Sequence, residues 1–197
     1  MRFLTEYCTF KPFSIELLSS CNTFDCGYPD LNDFFANDCI NYSDELLGKT
    51  YCFLLDKDPH IAVCLFTVSN DSIKAHLLPK CIKNKINRPI PNQKRFHSYP
   101  AVLIGRLGVN KDYKRQGIGK ELMNFIKSWF VDIGNKTGCR FVVVDSYNEN
   151  EPIKYYLDSG FNFLFDNEED EKKYSSLTTQ EPLRNRLMYF DLIVLRK

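Results

Sequence analysis

Residues 103–130 read LIGRLGVNKDYKRQGIGKELMNFIKSWF, and the rest of the chain is organised around this stretch. Leu103–Val109 is apolar except for two glycines and an arginine, which predicts a buried strand. Asn110–Gln116 is a short polar turn. Apolar residues then recur in steps of one, three and four, so they share one helical face. They are Ile118, Leu122, Phe125, Ile126, Trp129, Phe130 and Ile133. The stretch therefore predicts a strand, a tight turn and an amphipathic helix in succession.

The turn between this strand and helix has the composition of an anion-binding site. The start of a helix has backbone amides without intrahelical acceptors and the positive end of the helix dipole, and both favour a negatively charged ligand. Gly117 and Gly119 let a phosphate approach the backbone closely, while Lys114, Arg115 and Lys120 add positive charge. An ordinary strand–helix connection with surface lysines is the weaker interpretation, because the flanking strand and helix fit the motif's context.

Two common phosphate-binding motifs do not fit this turn. The ATP-binding loop requires a glycine, four residues and then Gly-Lys-Ser/Thr, but Lys114 and Glu121 occupy the positions of the first glycine and the hydroxyl. The dinucleotide motif requires a third glycine where Leu122 stands. The sequence therefore predicts a phosphate site of another kind.

Lys114–Gly119, which reads KRQGIG, resembles the acetyl-CoA signature of the GNAT N-acetyltransferase superfamily, Arg/Gln-x-x-Gly-x-Gly/Ala. Lysine replaces the usual Arg or Gln, and Arg115 stands where glycine is frequent, so the positive charge is kept. The resemblance implies a GNAT-like α/β (α+β) fold, with a mixed central sheet of about six or seven strands, flanking helices and a splayed central strand. It implies that acetyl-CoA, the co-substrate, binds to Leu107, Gly108, Val109, Lys114, Arg115, Gln116, Gly117, Ile118, Gly119 and Lys120. Backbone groups of Leu107 and Val109 would pair with pantetheine, and one freed amide would stabilise the developing oxyanion.

A second stretch, Asn148–Phe161, resembles the other GNAT signature, in which an asparagine, a tyrosine and Gly-Phe keep fixed spacings. Pro152 suits the first turn of a helix, and Gly160 suits its end. By resemblance, Tyr156 is the catalytic acid that protonates the leaving thiolate, the alternative being that it only packs against CoA. Asn148 either hydrogen-bonds pantetheine or caps the helix. Among the nearby carboxylates, Asp145, Glu149 and Glu151, none stands out as a general base.

Composition sets the broad class of protein. The chain has 197 residues and a net charge of +1, which fits one folded domain and argues against disorder and a wholly basic surface. It has no apolar run near the ~20 residues of a membrane helix and no signal-peptide core, so we expect a cytoplasmic protein with no membrane partner. The eight cysteines show no metal-ligand spacing, so we expect reduced, mostly buried thiols and no metal.

The remaining elements follow from local patterns. We expect a first strand at Phe3–Phe10, a helix at Phe13–Ser20, a helix from Asp30 to about Leu47 that stops at Gly48, and strands at Thr50–Leu55 and Ile61–Ser69. After the central helix, we expect strands at Cys139–Asp145, Phe161–Phe165 and Leu187–Leu195, and a solvated loop at Asp166–Glu171. No linker or repeat appears, so we expect residues 1–197 to form a single domain, GNAT-like by the resemblance, with a basic insertion at about 72–97.

Four stretches resemble one branch of the family more specifically: Phe24–Gly27, Leu31–Asn32, Lys49–Tyr51 and Ile104–Val109. These stretches are similar to the GNAT branch that includes the tRNA-acetylating toxins of toxin–antitoxin pairs. Ser72–His97 has seven basic residues and no acidic one, so it is either a solvated surface loop or a guide for an anionic partner such as RNA. His76 and His97 flank it and are expected at the surface.

The sequence thus predicts an acetyl-CoA-dependent N-acetyltransferase that moves an acetyl group to a primary amine by direct attack in a ternary complex. The acceptor is a small-molecule or protein amine, or, in the toxin-like alternative, the α-amine of aminoacyl-tRNA. The partners left open are tRNA, an antitoxin protein and a second copy of the chain. An alternative of another class is an acyl-CoA-binding domain without turnover.

Overall fold

The computed structural model describes residues 2–90, 96–135 and 137–196. Lys94 and Arg95 of the basic segment lie outside the described residues. The helices are α1 (Phe3–Tyr7), α2 (Ile15–Ser20), α3 (Pro29–Asp33), α4 (Cys39–Asp44), α5 (Lys80–Asn87), α6 (Ile118–Val131), α7 (Asn150–Asp158) and α8 (Glu168–Tyr174). The strands are β1 (Cys8–Pro12), β2 (Lys49–Leu55), β3 (Asp58–Ile73), β4 (Tyr99–Val109), β5 (Phe141–Tyr147), β6 (Asn162–Phe163) and β7 (Asn185–Asp191).

The strands form a seven-stranded sheet in the order β1-β2-β3-β4-β5-β7-β6. The pairs β1–β2, β2–β3, β5–β7 and β6–β7 are antiparallel. The predicted class, a mixed sheet of six or seven strands with flanking helices, is confirmed. Among the described residues, no helix is long and apolar enough to cross a membrane.

The chain forms two compact units, the first comprising residues 1–70 and 104–128. Helices α2–α4 pack on β2 and β3 through buried side chains that include Phe34, Phe35 and Cys52. On α6, Phe125 lies edge-on to Phe10 of β1 and Phe53 of β2, with ring centroids 4.8 and 4.9 Å away. These contacts hold the predicted central helix against the strands of its own unit.

The second unit comprises residues 71–103 and 129–197. Its core joins α5 to the start of β4 and to β5 and β7. Ile82 and Ile86 of α5 are buried in this core, and the Tyr99 hydroxyl donates a hydrogen bond to Asn87 at the end of the helix. The basic segment is therefore not simply a loop, because its middle is a helix anchored by an apolar face.

The eight cysteines are free thiols, and half of them are buried, fewer than predicted. Cys26, Cys39, Cys52 and Cys64 are buried, and Cys81 is exposed. The thiols of Cys52 and Cys64 lie inside β2 and β3, where burial raises their pKa.

The predicted first strand at Phe3–Phe10 is wrong in its first half, where the chain forms α1 before β1 begins at Cys8. The Glu121 carboxylate accepts hydrogen bonds from the backbone amides of Leu4 (2.9 Å) and Thr5 (3.3 Å), and Leu4 is fully buried. A carboxylate more than a hundred residues away thus satisfies amides at the helix start, which local strand propensity could not indicate.

The predicted solvated loop at Asp166–Glu171 is also wrong, because Glu168–Tyr174 is α8. The Asn167 side chain caps its start by accepting a hydrogen bond from the Asp170 amide. Glu171 is buried, accepts a hydrogen bond from Arg186 Nε at 2.8 Å and accepts another from the Leu187 amide. Glu171 thus attaches the acidic run to β7, while Asp166 and Glu169 remain exposed.

The predicted helix from Asp30 to Leu47 is confirmed with shorter bounds. Helices α3 and α4 are joined by a π-helical turn, Phe34–Asp38, and α4 ends at Asp44. The stop is not made by Gly48, since Leu46 adopts the left-handed conformation (φ 57°). Gly48 serves close packing, because a Cβ there would lie 2.8 Å from the Tyr42 ring.

Lys127 on α6 gives a pH-dependent stability prediction. It is 4% exposed, and burial lowers its pKa to about 8. The unfolded chain therefore binds more protons than the folded one between about pH 8 and the ordinary lysine pKa of about 10.4, so this residue makes stability rise with pH in that window. Lys127→Met should be more stable at pH 7, with an advantage over the natural protein that shrinks by about 1–2 kcal/mol by pH 9.5.

Urea unfolding of both proteins at pH 7 and pH 9.5 measures this difference. Lys57→Met, at an exposed lysine, is the control and should differ equally from the natural protein at both pH values. A difference for Lys127→Met that does not change with pH would show that Lys127 does not lose its proton in this window.

Candidate functional site

The predicted strand–turn–helix is present as β4, a short turn and α6. Asn110 begins the turn, and its side-chain amide makes two hydrogen bonds. Its Nδ2 donates to the Ala62 carbonyl of β3 at 3.2 Å, and its Oδ1 accepts from the Asp112 amide at 3.1 Å. A single 3₁₀ turn, Lys111–Tyr113, follows. The strand β3 thus fixes the start of the turn.

Two residues before α6 have left-handed backbone conformations. Arg115 has a φ of 60° and Gly117 a φ of 81°. The side chain of Arg115 makes this conformation sterically strained, whereas glycine adopts it freely. A Cβ built on Gly117 meets no atom within 4 Å, so the space in front of the helix start is open. An oxyanion could therefore approach the backbone there, at the positive end of the α6 dipole.

The predicted acetyl-CoA residues other than Asn148 lie together along this one segment of the first unit. Gly108 and Ile118 are buried, and Leu107, Val109 and Gly119 are partly buried. The exposed members are Lys114, Arg115, Gln116, Gly117 and Lys120. The Gln116 side chain donates to the Asp112 carbonyl at 3.1 Å, which closes the turn on itself. The segment therefore presents a positively charged, exposed turn with a buried hydrophobic anchor.

A loop from the first helical layer packs against this segment. A Cβ on Gly108 would lie 3.0 Å from both the Phe24 ring and the Cys26 Cβ. Lys114 Nζ lies 5.2 Å from the centroid of the Tyr28 ring, a cation–π contact. Lys111 Nζ forms a 2.9 Å ion pair with Asp25. Phe24, Asp25 and Cys26 belong to a stretch identified from sequence only by its resemblance to the toxin branch, and Tyr28 and Lys111 carry no such signal.

In the second unit, the predicted acid Tyr156 lies on α7. Its ring contacts those of Tyr155 and Phe161, with centroids 5.1 and 5.4 Å apart. Burial raises the pKa of the Tyr156 phenol, and the negative charges of Asp145 and then of ionised Tyr147 add to the rise. The hydroxyl therefore carries its proton throughout the neutral range.

Asn148 follows β5, but it does not cap α7. Glu149 is the N-cap residue, and no side chain caps that position. Asn148 Nδ2 donates to Glu168 Oε1 at 3.0 Å and to the Leu183 carbonyl at 2.8 Å. Both amide hydrogens thus hold the β5–α7 junction to α8 and to the segment before β7. The expected alternative of a helix cap is wrong, and contact with pantetheine stays a prediction.

The nearby carboxylates remain without an assigned role as a base. Asp145, Glu149 and Glu151 are all exposed, and the structure singles out none of them as a general base. His76 and His97 are exposed, as predicted, and His76 Nδ1 lies 3.1 Å from the His97 carbonyl oxygen. Within the described residues, no group of three or more metal-binding side chains is present.

Comparison with known proteins gives a family match for part of the chain. The acetyltransferase (GNAT) domain family matches residues 88–163. This range contains β4, the turn, α6, β5 and α7, which together carry both signature stretches.

Solved structures match nearly the whole chain. A structure of AtaT complexed with acetyl-methionyl-tRNAfMet has 16% sequence identity and a TM-score of 0.64, covering 96% of this chain and 97% of that one. AtaTR bound with AcCoA has 14% identity and a TM-score of 0.63, with coverages of 98% and 99%. A tyrosine-to-phenylalanine mutant of KacT has 18% identity and a TM-score of 0.64, with coverages of 97% and 98%. At these identities the likeness concerns the fold. Residues 88–163 thus match the acetyltransferase (GNAT) domain family, and nearly the whole chain shares the fold of these solved structures.

Proposed function

We propose that this protein transfers the acetyl group of acetyl-CoA to the α-amine of an aminoacyl-tRNA. The proposal that acetyl-CoA is the acetyl donor rests on the turn before α6. Its open space at Gly117, the helix dipole and the exposed Lys114, Arg115 and Lys120 fit a pyrophosphate. When bound, acetyl-CoA supplies an activated thioester.

The proposal that an aminoacyl-tRNA is the acetyl acceptor rests on one observation, the solvent-facing surface of α5. Ile82 and Ile86 bury one face of this helix, so the opposite face is presented to solvent. The basic residues of this segment are Lys74, Lys80, Lys83, Lys85 and Arg88, and all but the partly buried Lys83 are exposed. No acidic residue occurs between Ser72 and His97. Such a surface suits a polyanion, because each neutralised phosphate releases counterions.

The chemistry needs few protein groups. An α-amine has a pKa of about 7.7–8.0, so a substantial fraction is neutral near pH 7.5 and water suffices to take its proton. The amine nitrogen forms a bond with the acetyl carbon, and a backbone amide of β4 stabilises the oxyanion. As the carbon–sulfur bond breaks, Tyr156 donates its proton to the sulfur and is reprotonated from solvent.

The proton transfer from Tyr156 is uphill but tolerable. A tyrosine pKa of about 10 against a thiol pKa of about 8.5 makes the transfer cost roughly 2 kcal/mol. Burial raises the Tyr156 pKa, but the same environment also disfavours a thiolate, so the difference between the two groups changes less than either value. The acid role therefore stays compatible with the raised pKa.

Two further partners remain proposals. AtaT has been solved bound to the C-terminus of the antitoxin AtaR, which makes an antitoxin the natural partner to test for this chain. A second copy of the chain is the other. A small amine or a protein amine is the competing acceptor, and binding of acyl-CoA without turnover is the competing class of function. A screen of CoA release across small amines, protein amines and aminoacyl-tRNAs separates these possibilities.

The first prediction concerns the turn. Gly117→Ala places a methyl group in the open space and strains a backbone with φ of 81°. The strain should lower stability by about 1 kcal/mol, whereas acetyl-CoA affinity should fall by about tenfold or more. Calorimetry and thermal unfolding measure the two effects separately. Gly138→Ala is the control, since a Cβ there also meets nothing and needs no left-handed conformation. A folded Gly117→Ala variant with unchanged affinity would remove the turn from the binding site.

The second prediction concerns Tyr156. Tyr156→Phe keeps the ring contacts and removes the proton, so turnover at saturation should fall by about a hundredfold or more while acetyl-CoA affinity stays nearly unchanged. Single-turnover kinetics with calorimetry test this pair of outcomes. Tyr155→Phe on the same helix is the matched control and should keep most of the activity. If binding were lost and turnover at saturation kept, the phenol would be a packing group.

The third prediction concerns the acceptor. Reversing the charge of Lys83, Lys85 and Arg88 should raise the KM for aminoacyl-tRNA about tenfold or more and leave the KM for acetyl-CoA unchanged. The slope of log(kcat/KM) against log[salt] should become shallower by about 2–3, because three phosphate contacts are lost at about 0.7–0.9 each. Steady-state kinetics across salt concentrations give both numbers.

The control reverses Lys11, Lys49 and Lys57, three exposed lysines on or between the strands β1–β3, and carries the same change in net charge. It should have a much smaller effect on the KM for aminoacyl-tRNA. Equal effects of the two triple variants would mean that α5 is not the RNA surface. Activity confined to small amines would reject the aminoacyl-tRNA acceptor altogether.

A further inference from the structure

The loop Phe24–Tyr28, here called the Asp25 loop, is held by hydrogen bonds to the Asp25 carboxylate. Asp25 Oδ1 accepts hydrogen bonds from the Gly27 amide and from Asn32 Nδ2, both at 2.8 Å. Asn32 Oδ1 in turn accepts from the Cys26 amide at 2.8 Å. The other carboxylate oxygen of Asp25 pairs with Lys111 Nζ at 2.9 Å. Gly27, Cys26 and Asn32 belong to the loop and its following helix, but Lys111 belongs to the turn before α6.

Asp25 contacts that turn through two interactions with Lys111. Besides the ion pair, the Lys111 amide donates to the Asp25 carbonyl at 2.8 Å. Lys111 directly precedes Asp112, whose amide and carbonyl are both held within the turn. On its other side, the turn is held to β3 by Asn110. The turn is therefore clamped from two directions, and the Asp25 loop supplies one of them.

The strained backbone of the turn explains why it has to be held in place. Arg115 has a positive φ, a conformation that a residue with a side chain populates only when its surroundings impose it. The cation–π contact of Lys114 with Tyr28 connects the same loop to the residue just before Arg115. The hydrogen bond from Lys111, followed by those from the Gly27 amide and Asn32, lowers the pKa of Asp25, so its carboxylate is charged at neutral pH.

We propose that Asp25 is a positioning residue for acetyl-CoA: through Lys111 it holds the turn before α6 in the conformation that receives the pyrophosphate. The proposal rests on the proposed binding of acetyl-CoA. A turn held in its binding conformation loses less conformational entropy when the ligand arrives, which raises affinity without a direct contact.

A simple charge effect makes the opposite prediction, and this allows a sharp test. Asp25→Asn removes a negative charge near a site for an anionic ligand, so electrostatics alone would tighten acetyl-CoA binding. Loss of the clamp would weaken it, by about fivefold for an exposed ion pair. Calorimetry with acetyl-CoA distinguishes the two directions. Asp56 accepts a hydrogen bond from Thr9 and takes no part in the clamp, so Asp56→Asn makes the same change in net charge and should not weaken binding.

Lys111 provides the second variant and the rescue. Lys111→Met should also weaken acetyl-CoA binding, Lys111→Arg should restore most of it, and the double variant Asp25→Asn/Lys111→Met should be little worse than Lys111→Met alone. The Lys111 side chain is 59% exposed, so its variants should fold even if Asp25→Asn does not. If acetyl transfer is assayed, Asp25→Asn and Lys111→Met should raise the KM for acetyl-CoA and leave kcat at saturation unchanged.

Tighter or unchanged binding by folded Asp25→Asn would overturn the proposal, as would strictly additive effects in the double variant. A lower melting temperature with unchanged affinity would also overturn it, because it would show a structural role only. Failure of the natural protein to bind acetyl-CoA would overturn the proposed function as well, and this outcome is distinct from a binding-competent protein whose variants are normal.

Discussion

The close contact of the Asp25 loop with Gly108 is the constraint on which the first unit depends. Phe24 and Cys26 occupy the space where a side chain of β4 would otherwise stand, about 3.0 Å from the position that a Cβ on Gly108 would take. This approach brings Asp25 to the turn, and the turn sets where α6 begins. A larger residue at Gly108 would therefore disturb the strand, the loop and the helix start together.

Local signals explain which parts of this site could be predicted from sequence. The alternation from an apolar run to a polar turn and then to helical periodicity is contained in one continuous stretch, so the end of β4 and the start of α6 are predicted near their observed bounds. Pro152 and Gly160 likewise bound α7, because the first suits a helix start and the second adopts a φ of 83° after its end. These elements follow from residues that are neighbours in the chain.

Elements that depend on distant partners were not predictable. Helix α1 begins where Glu121 satisfies its amides, and α8 docks through Glu171 on Arg186. The clamp formed by Asp25 and Lys111 joins two distant parts of the chain, and nothing in either local sequence specifies the pairing. The role of Asn148 could not be predicted for the same reason, since its partners Glu168 and Leu183 lie elsewhere in the chain.

The distribution of the thiols has a practical consequence. Among the eight cysteines, all within the described residues, Cys81 is the exposed one, and it lies on α5. Burial raises the pKa of the other seven, which lowers the share of reactive thiolate in each. A maleimide dye should therefore attach selectively at Cys81 of the unmodified protein. Such a dye would sit among the lysines of α5, where its fluorescence could report the arrival of a nucleic acid without any engineered cysteine.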